Sequence, residues 1–127
     1  MRLVIQNVIN ASVSVDNKLI SSINKGYLIL VGFSISDNQE VIEKMAEKLL
    51  NMRVFNDENG KTNLSIRDVD GEILVVSQFT LYADFKSGRR PSFIHALKGE
   101  ESVKLYNKFI EILKSKFNKE IKTGIFG

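Results

Sequence analysis

Residues 77–84 read Ser-Gln-Phe-Thr-Leu-Tyr-Ala-Asp and follow directly on the run Ile73-Leu74-Val75-Val76. Four apolar residues, three of them β-branched, read as a buried strand. Two hydroxyls (Ser77, Thr80), an amide (Gln78) and an aromatic ring (Phe79) therefore stand where that strand runs out. A strand end holds such groups still, which makes it a good place to build a site. Two chemistries are open to these residues. Ser77 or Thr80 could serve as a nucleophile, but an aliphatic hydroxyl needs a base. His95 and Asp84 are the candidates, and spacing alone brings neither to a hydroxyl. Alternatively, both hydroxyls bond to backbone where strand becomes loop. Phe79 either stacks on a nucleic-acid base or fills core space.

A cationic loop follows, with Lys86, Arg89 and Arg90, and then Pro91-Ser92-Phe93, which would fix and anchor it. Lys114, Lys116, Lys119 and Lys122 crowd the C-terminal end. The net charge is +3 and the pI about 9.2. A lysine-rich solvated surface accounts for those values on its own. A cationic loop beside a strand-end site would also suit a phosphate backbone. Asp84 is expected to cap a turn or pair with a loop arginine. His95 is expected to be a loop residue without a catalytic part.

Composition narrows the rest. With 43% hydrophobic and 26% charged residues in a chain of 127, one globular domain over 1–127 is expected. The absence of cysteine excludes a disulfide framework and thiolate metal sites, and a single histidine excludes a His-only zinc site. No cofactor and no metal are expected. The longest apolar stretch, Tyr27 to Phe33, is too short to span a membrane, and nothing at the N-terminus reads as a signal peptide. The expected compartment is the cytosol. Gly60-Lys61-Thr62 mimics the end of a phosphate-binding loop, but Phe55 stands where its first glycine belongs. Asp57-x-Asn59 mimics a calcium loop, but Lys61 occupies a ligand position and Gly60 comes too early.

Several elements must position the strand end. Leu3-Val4-Ile5 with Val8, and Val13 and Val15 alternating with serines, read as strands, and Asp16-Asn17 as a turn before Leu19-Ile20 and Ile23. Tyr27 to Phe33 reads as a central strand buried on both faces. A helix is predicted over about 38–52, with Asp37 as cap, Glu40 completing a capping box, and Val41, Met45, Leu49 and Met52 as its stripe, widened by Ile42 and Ala46. Asp57-Glu58-Asn59-Gly60 reads as a turn. A second helix is predicted over about 100–117, on a face of Val103, Tyr106, Phe109, Ile110, Leu113 and Phe117. Glu100 and Glu101 suit its N-terminal end, Lys114 and Lys116 its C-terminal end. Many strands, two helices and no regular βαβ alternation predict an α/β fold with helices on one side of mixed or antiparallel sheets.

The octapeptide 77–84 together with Gly88-Arg89-Arg90-Pro91-Ser92-Phe93 resembles the D-aminoacyl-tRNA deacylase family, also called D-Tyr-tRNA deacylase. Ala11-Ser12-Val13-Ser14-Val15, Arg53-Val54-Phe55-Asn56-Asp57, Gly60-Lys61-Thr62-Asn63-Leu64, Thr123-Gly124 and Phe126-Gly127 fall where that family has similar segments. The resemblance implies a layered β-β-α domain working as a homodimer with active sites at the subunit interface. It implies hydrolysis of the ester joining a D-amino acid to the terminal ribose of tRNA. The ribose 2′-hydroxyl would help activate water, and backbone N–H groups around Phe79 and Thr80 would hold the oxyanion. Ser77 and Gln78 would shape the pocket, and Lys86, Arg89, Arg90, Pro91, Ser92 and Phe93 would meet the tRNA. A tRNA- or RNA-binding module built on the same scaffold is the alternative.

Two departures accompany the resemblance. The family reads chirality with a Gly-Pro dipeptide on a C-terminal strand inserted into the partner's pocket; these residues contain no such dipeptide, and the sequence ends at Gly127, where that strand is expected to begin. The family's usual Gln-Arg-Val is here Gln6-Asn7-Val8. Asn7 stands where the bracing arginine is expected and lacks its fork of donors. The C-terminal strand is thus expected to be missing, leaving an unpaired sheet edge.

Overall fold

The N-terminal strand sequence, β1 (Arg2–Val8), lies antiparallel to β4 (Gly26–Gly32) in the computed structural model, which describes residues 1–127. Between them β2 (Ala11–Val15) and β3 (Lys18–Ile23) form a hairpin. Its turn residues Asp16 and Asn17 take φ of 51° and 64°, the left-handed pair that a two-residue hairpin turn demands. The central sheet runs β1-β4-β7-β8, where β7 is Glu72–Ser77 and β8 is Ile121–Thr123. Both β4/β7 and β7/β8 are parallel. Parallel neighbours need long crossovers. The first carries α1 (Gln39–Asn51) and a small hairpin of β5 (Phe55–Asn56) and β6 (Thr62–Leu64); the second carries α2 (Gly99–Lys116).

Both helices pack on one face of the sheet. Tyr27, Ile29 and Val31 of β4 and Ile73 and Val75 of β7 join Ile42, Ala46, Leu49 and Leu50 of α1 and Tyr106, Phe109, Ile110 and Leu113 of α2 in one buried cluster. Leu74, between two of these residues, must face the other way and is also fully buried, beneath the β2–β3 hairpin. Ser21 Oγ ties that hairpin to the carbonyl of Thr123 at 2.6 Å. The result is hairpin, mixed sheet and helices in three layers, as the layered β-β-α expectation has it.

Four details differ from the sequence reading. The cap of α1 is Asn38, whose Oδ1 accepts the Val41 N–H at 3.0 Å, and not Asp37. Asp37 is drawn off by the Met1 ammonium at 2.6 Å and by the Ser34 N–H at 2.7 Å. The buried stripe of α1 centres on Ile42, Ala46, Leu49 and Leu50, with Val41 and Met45 at its margin. The outer face of β4 is only half-covered at Leu28 and Leu30, because the hairpin lies over β7 and β8. Finally, β7–α2–β8 is a βαβ unit, so β7 is no edge; its second strand is too short and lysine-bearing to show in the pattern.

Candidate active site at the end of β7

Strand β7 ends at Ser77, in register with Val31. The Gln78 N–H makes a last bond to the Val31 carbonyl at 2.7 Å. The chain then leaves the sheet in one 3-10 turn, Phe79–Tyr82. The first bond of that turn runs from Leu81 N–H to the Gln78 carbonyl at 3.3 Å. The N–H groups of Phe79 and Thr80 precede it and so have no acceptor within the turn. Gly32 makes this close approach possible: a Cβ there would stand 2.8 Å from the Gln78 carbonyl oxygen.

The side chains are arranged for positioning more than for proton transfer. The Gln78 amide donates to the Thr80 hydroxyl. Asp84 caps a turn, its Oδ1 accepting the Lys86 N–H at 2.8 Å, and its backbone exchanges two bonds with Ser92 at 2.9 and 2.7 Å. The His95 side chain lines a separate basin with Arg2 and Lys86. Neither candidate base is bonded to Ser77 or Thr80, so the residues do not form a Ser-His-Asp arrangement.

A cleft of about 490 Å³ opens between Ser77–Phe79 on one wall and Leu97–Gly99 with Ser102 on the other, with Phe126 behind. Phe79, 47% exposed, meets Phe93 edge to face at 5.2 Å, so Phe93 anchors its loop against the site. Tyr106 lies behind Phe126 at 5.3 Å and donates weakly to the Val75 carbonyl at 3.4 Å; burial pushes its phenol up to about 12. Lys86, Arg89, Arg90 and Pro91 are exposed on the adjoining loop, and the three cations make no ion pair.

Asn7 lies elsewhere. It pairs with Tyr27, four residues along β4 from the Val31–Ser77 pair, which is about 13 Å away at strand rise. Its amide donates to the Val54 carbonyl at 2.8 Å. Within one chain the structure does not bring Asn7 to the strand end. Conversely, sequence reasoning missed Gly32, Lys98 and Ser102. A glycine inside an apolar strand was a usable signal for the first. The other two arrive through packing of α2 and carry no local signal.

The D-Tyr-tRNA(Tyr) deacylase family, compared with the chain, matches residues 4–127. This chain belongs to the D-Tyr-tRNA(Tyr) deacylase family. Relatives agree with that placement. D-aminoacyl-tRNA deacylase of Clostridium botulinum (strain Loch Maree / Type A3) is 54% identical over 127 residues, all of this chain and 85% of the relative. Its counterpart in Clostridium novyi (strain NT) is 52% identical over the same shares. Among solved structures, c-Myc DNA Unwinding Element Binding Protein superposes with a TM-score of 0.94 at 43% identity, over all of this chain and 86% of that one. A probable eukaryotic D-amino acid tRNA deacylase shares the fold, with a TM-score of 0.77 at 17% identity over 89% of this chain and 66% of that one. In this deacylase the strand-end motif lines the cleft, and the cationic loop reaches it through Phe93 against Phe79. No helix is long and apolar enough to cross a membrane.

Proposed function

We propose that this deacylase-family chain, acting as one domain, hydrolyses the ester between a D-amino acid and the terminal ribose of tRNA through backbone electrostatics. Water adds to the ester carbonyl, the N–H groups of Phe79 and Thr80 hold the oxyanion, and the acyl C–O bond breaks to release the D-amino acid and the ribose hydroxyl. The neighbouring 2′-hydroxyl assists the water. Gln78 fixes Thr80, Ser77 ends the strand, and Lys86, Arg89 and Arg90 meet tRNA phosphates beside Pro91, Ser92 and Phe93. The observation that carries this reading is the pair of acceptor-free N–H groups beside a cleft, where no side-chain base reaches Ser77 or Thr80. The protein works in the cytosol as a homodimer with sites at the interface, and Asn7 acts there across subunits.

The deciding experiment follows deacylation of D-Tyr-tRNA and L-Tyr-tRNA side by side. Loss of D with sparing of L is expected. Thr80→Ala is expected to slow the D reaction by roughly tenfold to a hundredfold, the range of a lost positioning group, where removing a true nucleophile costs about a millionfold. Abolished turnover in Thr80→Ala would sink the backbone mechanism. A second reading, a nucleic-acid-binding module without turnover, is favoured by the DNA-binding name of the neighbour at 43% identity. Tight tRNA binding with both esters left intact would establish it instead.

A further inference from the structure

We propose that Lys98 takes the 5′-phosphate of the substrate's terminal nucleotide, with Ser102 as an accompanying donor; this rests on the deacylase reading above. Lys98 is the residue before the first turn of α2 and is exposed. Its ammonium stands 5.8 Å from the Phe79 ring and 5.5 Å from the Phe93 ring. Two aromatic faces at that range hold a cation in place without neutralising it. It has no carboxylate partner: Glu101, in the next turn, pairs with Lys104 at 3.2 Å, and Glu100 points its charge to solvent. Among the cations near the strand end, Lys98 is the one on the wall of the cleft; Lys86 lines the other basin.

A second observation concerns the same wall. Ser102 is only 6% exposed, lines the cleft, and its hydroxyl has no protein partner. The Ser102 hydroxyl is not an orphaned buried group, since Tyr27 alone has a buried side-chain polar atom without a partner; it opens into the cleft and is free to donate to a ligand there. The free N–H groups of the first turn of α2 face the same end. A cation, a hydroxyl and helix N–H groups together select an anion with several acceptor oxygens. An aminoacyl ester has no free carboxylate, so the anions such a substrate can bring are its phosphates. With the ester carbonyl at Phe79 and Thr80, the nearest phosphate is one ribose away, and Lys98, beside the Phe79 ring, is the cleft-wall cation available to meet it.

The test uses two non-hydrolysable analogues, D-tyrosyl-3′-amino-3′-deoxyadenosine without a 5′-phosphate and with its 5′-phosphate as a methyl diester. Their Kd values are measured for the wild type, Lys98→Ala, Lys98→Arg and Ser102→Ala. The wild type is expected to prefer the phosphorylated analogue about tenfold, the usual scale of one charge-assisted bond. Lys98→Ala should erase that preference while binding the unphosphorylated analogue as the wild type does, which also certifies its fold. Lys98→Arg should restore most of the preference, and Ser102→Ala should reduce it by a few-fold. A preference that survives Lys98→Ala, or equal weakening of both analogues, overturns the proposal; the latter would make Lys98 a prop for the two rings. A wild type that binds both analogues equally overturns the phosphate role alone. A wild type that binds neither brings down the deacylase reading and the role of Lys98 with it.

Discussion

Tyr27 shows how a single atom can work against an otherwise well-made core. Its ring is fully buried and stacks on Phe55 at 5.1 Å, but its hydroxyl has no hydrogen-bond partner. Burial pushes the phenol up to about 12. A buried donor left unpaired costs about 1–3 kcal/mol, whereas an apolar group of the same shape costs nothing. Tyr27→Phe is therefore expected to be neutral or to stabilise by about 1 kcal/mol in urea unfolding; a loss larger than that would mean the hydroxyl is satisfied. The pH dependence has a definite sign. A folded-state pKa above the unfolded value of 10.0 leaves stability intact below pH 10 and erodes it as pH rises towards 12. The Phe variant should show a shallower alkaline loss, with Tyr106 supplying the part that persists.

Among the elements, the β5–β6 hairpin hangs on one carboxylate. Asp57 Oδ1 accepts the N–H groups of Asn59 and Lys61 at 2.9 and 3.0 Å, and Oδ2 accepts from the Asn63 amide at 3.1 Å. The bond from Lys61 above all holds its pKa below the usual 3.8. A depressed folded value means that the turn is fully braced above pH 3.8 and loosens as pH falls through the lower folded value. Amide NMR shifts of Asn59 and Lys61 should move together with an acid midpoint below 3.8, and Asp57→Asn should remove the transition. A midpoint at or above 3.8 would contradict the bracing. The main elements were legible because their periods are strong: β4 and β7 as apolar runs, α1 and α2 as stripes. The cap of α1 was not, because the Met1 ammonium that captures Asp37 is 36 positions away. Ser77 to Thr80 were legible because chemistry and strand are contiguous there. Lys98 and Ser102 were not, because only the docking of α2 makes them neighbours of Phe79. Asn7 was legible as an oddity, but its place follows from register with Tyr27, which no local pattern encodes.

On the scale of the whole molecule, the two parallel joins tie residues 26–31 to 72–77 and residues 73–75 to 121–123. Pairings this far apart in sequence form slowly, since each must close a long loop before any contact rewards it. The cleft depends on both crossovers: the Val31–Gln78 bond needs the first, and Lys98 and Ser102 need α2 seated in the second. In refolding from urea, far-UV circular dichroism should therefore recover ahead of binding of the adenosine analogue; simultaneous recovery would mean that the joins close together with the helices. The same topology governs synthesis. A chain still being made has its early hairpin and α1 in hand but no finished cleft before the second join can close. A ribosome that stalls anywhere before β8 therefore leaves a chain without the cleft, so no partial product short of residues 121–123 carries the assembled strand-end site.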